Sequence, residues 1–298
     1  MTFTSQTQSS LPEIGTRLQT GNILTNFHDV GSGPPVLLIH GSGPGVTAWA
    51  NWRLTIPALA GKMRVIAPDM AGFGYTETSI TKYEPEVWVS QLVDLLDALE
   101  LPCISIVGNS FGGAIALWLA ATHPERVGDL VLMGPVGASF PLTPGLDRVW
   151  GYQPSMENMR QLLDIFVFDR RLITEDLVEL RYRASVRADV QQRFENMFPP
   201  PRQTSVDRLA LDPESLARVT QRTLILHGRD DQVIPLEGSE RLVKLLPNAE
   251  LIRIDRCGHW VQIEQASIFN DALQRFLFDR IEDTATPSRK PEPKGANT

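Results

Sequence analysis

Short runs of consecutive apolar residues alternate along the chain with segments in which apolar residues recur every three or four positions. The runs are typical of strands buried on both faces, and the spaced pattern is typical of amphipathic helices. The runs predict strands at Val36–Ile39, Val65–Ala67, Ile104–Val107, Leu130–Met133, Thr223–Leu226 and Leu251–Ile254. Because helices separate these strands, we expect an α/β fold with a mostly parallel central sheet covered by helices on both faces.

One long segment interrupts this alternation. It contains no convincing strand, and its pattern predicts helices that begin near Ser155 and Thr174. An all-helical insertion in an α/β chain most often forms a lid over the carboxyl edge of the sheet. The last residues are rich in proline, lysine and threonine and lack apolar anchors. The expected parts are an α/β core over 1–136 and 206–283, a helical lid over 137–205 and a disordered tail over 284–298.

The charge and composition of the chain narrow its partners. A net charge of -7 argues against nucleic acid, and it means that a small anionic substrate needs a local positive group. We find no secretory signal, and the most apolar stretch, Ala114–Ala121, is too short to span a bilayer. The two cysteines do not form a disulfide framework, and no metal-binding motif is present. We therefore expect a cytoplasmic protein with no membrane partner, no metal and no cofactor.

A candidate nucleophile lies in the motif G-x-S-x-G. Ser110 is its serine, between Gly108 and Gly112, and it stands between a predicted strand and a predicted helix. That is the context of a nucleophile elbow, in which a sharp turn exposes the serine hydroxyl at the edge of the sheet. The alternative is a glycine-serine turn without chemistry, and the flanking strand and helix favour the elbow.

A base and an orienting acid are expected after later strands, because the carboxyl ends of parallel strands meet at one edge. Of the five histidines, His259 follows the last predicted strand and is the candidate base, whereas His227 ends a strand and fits a core histidine. The acid should follow the preceding strand, where Asp230 and Asp231 are adjacent. The local pattern alone does not choose between them, although the order serine, acid, histidine suits a hydrolase.

The glycine-rich stretch after the first predicted strand, HGSGPG, offers a candidate oxyanion hole. Backbone amides in such a loop can be aimed at the oxygen on which negative charge develops. The expected donors are the amides of Ser42 and of Phe111, the residue after the nucleophile. The alternative interpretation is a glycine-rich turn, and no complete dinucleotide-binding motif follows it.

Several stretches together resemble the meta-cleavage product hydrolases. They are HGSGPGVTAWANW, APDMAGFGYTE, VGNSFGGAIAL, HGRDDQVIPLE and CGHWVQIE, and the similarity extends from about Ile14 to Phe278. The resemblance implies an α/β-hydrolase fold and C–C bond hydrolysis of a small anionic dienol, a ring-fission product of a catechol. The products would be 2-hydroxypenta-2,4-dienoate and a small acid. It also implies a homo-oligomer and no cofactor, and it leaves open whether the serine acts as a nucleophile or as a base on water.

The resemblance also assigns roles to residues. The family pattern G-x-x-D-x-x-x-P selects Asp231 as the acid, so that Asp230 is a turn residue. Substrate contacts are implied for Asn51, Asn109, Arg181 and Trp260. Their alternative roles are helix capping for Asn51, a turn for Asn109 and core packing for Trp260. Ser42 stands where some relatives carry glycine, which keeps the backbone donor and would add a hydroxyl to the pocket.

The spacing around Arg181 gives an independent reason to single it out. In a helix that begins near Thr174, Arg181 shares one face with Leu177, Leu180 and Ala184, and a charge on an apolar face needs a partner. The alternatives are an arginine that reaches solvent, or one that pairs with Glu179 or Asp164. The bulky lid stretch 162–168 is expected near the pocket, where it would disfavour substrates with a phenyl group at C6.

Two other functions compete with C–C hydrolysis. One is a carboxylesterase or perhydrolase of the same fold, and the other is a non-catalytic ligand-binding protein. The lid segments LLDIFVFDR and LRYRASVR resemble the meta-cleavage product hydrolases and favour C–C hydrolysis over ester cleavage. The complete set of Ser110, Asp231 and His259 argues against a non-catalytic protein.

Overall fold

A computed structural model of the chain describes residues 11–285. In this part of the chain, nine strands form one sheet in the order β1-β2-β4-β3-β6-β7-β8-β9, with β5 paired to β2. The strands are β1 (Thr16–Thr20), β2 (Ile23–Val30), β3 (Pro35–Ile39), β4 (Arg64–Pro68), β5 (Glu77–Thr78), β6 (Ile104–Asn109), β7 (Val127–Met133), β8 (Thr223–Gly228) and β9 (Ala249–Ile254).

The six strands from β3 to β9 other than β5 pair in parallel, and each contains one of the predicted apolar runs. The strands β1, β2 and β5 pair antiparallel and were not predicted. Their sequences lack a continuous apolar run: β1 reads TRLQT, and β2 buries the polar side chains of Thr25 and Asn26. The prediction of a mostly parallel sheet is confirmed, with an antiparallel edge added.

Helices cover both faces of the sheet and fill the segment between β7 and β8. The first four are α1 (Ala48–Trp52), α2 (Ile56–Ala60), α3 (Pro85–Ala98) and α4 (Phe111–Thr122). The next six are α5 (Pro144–Trp150), α6 (Met156–Phe166), α7 (Glu175–Ser185), α8 (Val190–Met197), α9 (Gln203–Leu209) and α10 (Pro213–Ala217). The last three are α11 (Leu236–Leu245), α12 (Val261–Glu264) and α13 (Ala266–Ala285).

The segment between β7 and β8 contains only helices, from α5 to α10. Two of its helices begin as expected, because the Ser155 hydroxyl accepts from the amide of Asn158 and the Thr174 hydroxyl accepts from that of Leu177. Helices continue beyond residue 205, but α9 and α10 contact α4 of the core. The indole Nε1 of Trp118 on α4 donates to the Leu209 carbonyl at 3.0 Å, which fixes α9 to the core.

The other end of the chain departs slightly from the predicted boundary. The helix α13 ends at Ala285, so it includes the first two residues of the tail predicted over 284–298. The rest of that predicted tail lies outside the described residues. Within residues 11–285, none of the helices is long and apolar enough to cross a membrane.

Alternate residues of β3 show how the sheet divides the core in two. Leu37 and Ile39 pack on the face that α3 and α4 cover, whereas Val36 and Leu38 pack with Trp52 and with the helix α13. All four strand residues are fully buried. Burial on both faces explains why this strand is a continuous apolar run in the sequence.

A buried histidine at the end of β3 links two loops below the carboxyl edge. The Nδ1 of His40 donates to the Gly41 carbonyl at 2.7 Å, and its Nε2 accepts from the amide of Met70 at 3.0 Å. Both bonds require the neutral imidazole, since the protonated ring has no acceptor. Burial lowers the pKa of His40 to about 4, although the hydrogen bond to Gly41 opposes this.

The low pKa of His40 predicts a loss of stability in acid. Between pH 6.5 and about 4 the unfolded chain binds a proton that the folded chain does not. The free energy of unfolding should therefore decrease as the pH falls through this range, by up to ~1.4 kcal/mol per pH unit. In His40→Gln the free energy of unfolding should fall less steeply with pH, because the variant lacks the proton that His40 takes up on unfolding. Urea unfolding between pH 6.5 and pH 4.5 measures the two slopes. Asp69, whose pKa burial raises to about 6, acts in the opposite direction but is present in both proteins. Equal slopes for the two proteins would contradict the prediction.

Candidate active site

Ser110 lies in a sharp turn between β6 and α4. Its backbone has φ 54° and ψ -111°, a left-handed conformation that is rare for residues other than glycine. The amide of Ser110 donates to the Met133 carbonyl at 2.8 Å, and its own carbonyl accepts from the amide of Val136 at 3.1 Å. These bonds to the end of β7 and to the loop after it hold the strained turn in place, as an elbow requires.

The two glycines of the motif are required by backbone contacts around this turn. A Cβ on Gly108 would lie 2.5 Å from the Gly112 carbonyl oxygen, and a Cβ on Gly112 would lie 2.2 Å from the Ile39 carbonyl oxygen. Neither oxygen can move without disrupting the sheet or the helix. The pattern G-x-S-x-G is therefore a packing requirement of the turn as well as a motif.

His259 and Asp231 meet at the same carboxyl edge. His259 lies in the loop between β9 and α12, and its Nδ1 is 2.7 Å from the Asp231 Oδ2. The other oxygen of Asp231 accepts from the amides of Val233 and Ile234 at 2.7 and 2.9 Å. Asp230 is exposed, and its amide donates to the Cys257 carbonyl. Of the two acids that the local pattern left open, the structure therefore places Asp231 against the histidine.

A second histidine, which sequence analysis treated only as a core residue, also contacts Asp231. The Nε2 of His227 is 3.3 Å from the Asp231 Oδ2 and 3.1 Å from the Ile234 carbonyl, and its Nδ1 is 2.7 Å from the Ser239 hydroxyl. Burial raises the pKa of Asp231, but the charge and hydrogen bonds of His259 and His227 outweigh it and hold that pKa well below its usual range. Asp231 is therefore ionised at neutral pH.

The two residues expected to supply the oxyanion-hole amides are Phe111, next to Ser110 in the chain, and Ser42. Phe111 is the first residue of α4, so its N–H has no acceptor in a preceding helical turn. Ser42 follows β3 in the glycine-rich loop and lines the same cavity as Ser110 and His259. Its hydroxyl, which we expected to extend into the pocket, accepts from the indole Nε1 of Trp150 at 2.9 Å. That bond ties the loop to α5 of the helical segment.

Ser110 and His259 line one cavity of about 260 Å³ between the carboxyl edge and the helical segment. Its walls are mostly apolar, and the side chains from the helical segment include Leu146, Val149, Met159, Leu163 and Phe166. The Phe166 ring stacks on Trp260 at 4.8 Å and on His259 at 6.0 Å between centroids. Of the bulky stretch 162–168, Phe168 does not line the cavity and is exposed beside Arg256. Bulky side chains of the stretch do line the cavity as expected, but only Leu163 and Phe166 do so, because Leu162 and Val167 pack in the core.

Two buried asparagines lie in the wall next to the nucleophile. The Nδ2 of Asn109 donates to the Asn51 Oδ1 at 2.9 Å. The remaining amide atoms, the Asn109 Oδ1 and the Asn51 Nδ2, are buried without a hydrogen-bond partner. Asn51 does not cap α1, since the Thr47 side chain does so. A buried amide atom without a partner is costly, so this pair is suited to bind a polar ligand.

Arg181 reaches the cavity from α7. Its guanidinium donates to the Pro44 carbonyl at 3.1 Å, and the two acids that the sequence offered as partners are paired elsewhere, Glu179 with Arg183 and Asp164 with Arg170. Glu13 lines the same cavity and acts on the charge of Arg181, but the two form no ion pair. Burial lowers the pKa of Arg181 to about 10, so it remains charged at neutral pH. Its neighbour Leu180, expected on a buried apolar face, is 61% exposed, because this face of α7 borders a cavity and is not packed on the core.

Glu264, which sequence analysis missed, joins the histidine loop to the helical segment. One of its oxygens accepts from the amide of Asp169 at 2.6 Å, and the other accepts from the amide of Gly258 at 2.7 Å. The amide of Trp260 also donates to the Phe166 carbonyl at 3.0 Å. The helical segment therefore positions the residues on either side of His259: Gly258 through Glu264, and Trp260 directly. No local sequence signal marks a carboxylate that acts through such distant backbone amides.

Comparison with known proteins agrees with this geometry. The family model described as alpha/beta hydrolase fold matches residues 34–266. A 2-hydroxymuconate semialdehyde hydrolase from Pseudomonas sp. strain CF600 is 54% identical, covering 89% of this chain and 94% of its own. A 2-hydroxy-6-oxo-2,4-heptadienoate hydrolase from Pseudomonas putida is 55% identical, covering 89% and 96%.

A solved structure agrees as well. The meta-cleavage product hydrolase CumD from Pseudomonas fluorescens, a serine-to-alanine variant complexed with acetates, is 51% identical. It superposes with a TM-score of 0.89 and covers 90% of this chain and 99% of its own. This chain therefore belongs to the α/β-hydrolase fold family. Within that family, its relatives place it among the meta-cleavage product hydrolases, which are serine-dependent C–C hydrolases.

The contact between Asp231 and His259 leads to a first test of the site. Asp231→Asn removes the charge that stabilises a protonated His259, and turnover of a ring-fission product should decrease about 10³-fold or more. Asp230→Asn alters only an exposed neighbour and should leave turnover within about threefold. Steady-state kcat and a thermal melt of each variant provide the measurement. A larger loss of kcat in Asp230→Asn than in Asp231→Asn would show that Asp230, and not Asp231, is the catalytic acid.

Glu264 should affect catalysis through the position of His259. Glu264→Gln retains the size of the side chain but loses one of its two acceptor oxygens, so kcat should decrease by about 10- to 100-fold with little change in KM. Glu250→Gln, an exposed change on β9, is the matched control. Wild-type kcat in Glu264→Gln would show that the histidine loop does not need this bond. Glu264→Asp, which restores both oxygens, should recover part of the lost kcat.

Proposed function

We propose that this chain hydrolyses the C–C bond beside the C6 carbonyl of a monocyclic ring-fission product. The substrate is of the 2-hydroxymuconic semialdehyde or 2-hydroxy-6-oxohepta-2,4-dienoate type. Water adds across the bond to give 2-hydroxypenta-2,4-dienoate and a small acid, formate or acetate. The observation that carries this proposal is the identity of 54–55% to hydrolases named for these two substrates, against 34% to one named for a 6-phenyl substrate.

The arrangement of Ser110, His259 and Asp231 supports a proton-transfer role for each in this reaction. The dienol first becomes the keto tautomer, which makes the bond between C5 and C6 cleavable. Ser110 acts either as the nucleophile or as the base on water, and in both cases His259 accepts the proton. When the C5–C6 bond breaks, its electrons move through the conjugated chain to the 2-oxygen, and His259 returns its proton there to give the 2-hydroxyl, while Asp231 stabilises the imidazolium. The amides of Ser42 and Phe111 would stabilise the oxyanion on C6.

The polar residues at the cavity wall support the binding of an anionic dienol. Arg181 forms no ion pair with any described residue and can bind the substrate carboxylate through two N–H groups. The free amide atoms of Asn51 and Asn109 can donate to and accept from the 2-hydroxyl and its keto form. Trp260, stacked on Phe166, offers a flat surface to a conjugated chain.

The helical segment between β7 and β8 is suited to act as a lid. Helices α5, α6 and α7 contribute the side chains that close the cavity over Ser110. We assign the lid to 137–205, because α9 and α10 contact the core helix α4. The resemblance to the meta-cleavage product hydrolases also supports a homo-oligomer that acts in the cytoplasm.

A carboxylesterase of the same fold is the alternative function. The triad and the oxyanion amides would serve an ester as well as a ketone. Esters of simple alcohols do not need a buried cation, however, and this cavity contains Arg181 without a carboxylate partner. That feature favours an anionic substrate. A variant of Arg181 can therefore distinguish the two functions by its activity on a dienol and on a neutral ester.

Arg181→Ala provides that separation. The variant should lower kcat/KM for the dienol by about 100-fold, since a charge-assisted pair with the substrate carboxylate is lost. Hydrolysis of neutral p-nitrophenyl acetate should remain within about threefold. Arg183→Ala, on the solvent side of the same helix, is the matched control. Equal losses on both substrates would point to a structural role for Arg181.

The size of the cavity sets the preference at C6. Leu163, Val149 and Phe166 line it, and packed walls accept little additional volume. We expect the highest kcat/KM for hydrogen or methyl at C6, which differ by no more than ~10–200-fold, and a lower value for phenyl. A panel of substrates that vary only at C6 measures this order. Leu163→Ala should raise kcat/KM for the phenyl substrate relative to that for the methyl substrate. Equal turnover of the phenyl and the hydrogen substrates would overturn the assignment to monocyclic products.

A further inference from the structure

A second cavity, of about 520 Å³, lies between the helical segment and the edge of the sheet. Arg187 and Arg193, from the end of α7 and from α8, form one side, and Arg17 of β1 and the turn at Tyr75 form the other. It is separate from the cavity that contains Ser110, since the two share no lining residue. Three arginines around one cavity are unexpected in a chain of net charge -7.

The donors of these arginines are incompletely satisfied. Within residues 11–285, Arg193 has no ion pair, and its Nε is buried without a hydrogen-bond partner. The Nε of Arg17 is also buried without a partner, although its terminal nitrogen pairs with Glu77. A buried N–H without an acceptor is unfavourable. Since these Nε atoms have almost no accessible surface, an anion in the cavity would bind to the terminal nitrogens of the arginines.

Arg187 is fixed in the wall by an aromatic ring and two carbonyls, and the buried Asp69 carboxylate acts on its charge without forming an ion pair. Its guanidinium lies 4.1 Å from the centre of the Tyr75 ring, and it donates to the carbonyls of Ala184 and Gly74. It forms no ion pair in the described part of the chain. Ring stacking and hydrogen bonds to carbonyl oxygens orient a guanidinium without neutralising it, so it can still bind an oxyanion.

The acidic residues near this cavity have other partners. Glu77 pairs with Arg17, and Glu13 contacts the hydroxyls of Thr47 and Tyr75. Asp69 is buried and accepts from the amides of Ala48 and Tyr75. Residues 1–10 contain no aspartate or glutamate, so Glu13 is the first acidic residue of the chain.

The first cavity provides an internal comparison. Arg181 also is half-buried, donates to a backbone carbonyl and lacks a carboxylate partner, and there the missing partner is the proposed substrate anion. Arg187 repeats that arrangement in the second cavity, where Arg193 also forms no ion pair with a described residue. We propose that the second cavity is a binding site for a small molecule that carries a phosphate or carboxylate group. Because its walls come from α7, α8 and the sheet edge, the ligand would connect the helical segment to the core.

Isothermal titration with inorganic phosphate, and with succinate as the carboxylate probe, tests this site at constant ionic strength. We expect one of the two anions to bind. Arg193→Gln and Arg187→Gln should each weaken that binding by about tenfold or more, the effect of one lost charge-assisted bond. Arg181→Gln, in the first cavity, and Arg218→Gln, an exposed arginine on the helical segment, should leave the affinity within about twofold.

A further variant keeps all three arginines. Ala188→Glu places a carboxylate in the cavity wall, so it should abolish anion binding and raise the thermal midpoint. This outcome cannot be attributed to misfolding. The absence of binding by both anions in the wild-type chain would overturn the proposal. Binding that only Arg181→Gln removes would place the anion in the first cavity and would overturn it equally.

Discussion

The left-handed backbone at Ser110 is the constraint on which the rest of the site depends. The turn can form only because β6 ends between β3 and β7, where the amide and the carbonyl of Ser110 find partners in and after β7. Gly108 and Gly112 permit the contacts that any side chain would prevent. The turn places the serine at the carboxyl edge, and parallel pairing of β3, β8 and β9 brings Ser42, Asp231 and His259 to that same edge.

Charge placement forms a second layer above this backbone frame. Asp231 is ionised because two histidines and two backbone amides surround it, and it is buried, so its charge acts on His259 with little screening by water. The cations are arranged in the opposite way. Among residues 11–285, Arg181, Arg187 and Arg193 form no ion pair, while neighbours such as Arg183 and Arg170 are paired at the surface. The unpaired arginines are the positions at which we propose that anions bind.

Features that depend on a local sequence pattern could be predicted, whereas features that depend on particular side-chain contacts could not. The parallel strands were predictable because burial on both faces requires continuous apolar runs, and Ser110 was predictable because the turn requires glycines at fixed positions. The strands β1 and β2 were not, since polar residues such as Asn26 are satisfied there by distant partners. The contacts of His227 and Glu264 were not predictable either. His227 is only four residues from Asp231, but the pattern of a buried strand end does not show which way its ring faces. Glu264 joins the nearby amide of Gly258 to that of Asp169, which is 95 residues away and comes close only in the folded chain.

The central claim is that the backbone frame and the charges together orient one substrate. A crystal structure of Ser110→Ala, with the dienol substrate bound, tests this claim most directly. Our account places the substrate carboxylate within hydrogen-bond distance of the Arg181 guanidinium, ~2.7–2.9 Å, and the C6 oxygen at the amides of Ser42 and Phe111. The carboxylate at the oxyanion amides, or bound away from Arg181, would contradict it.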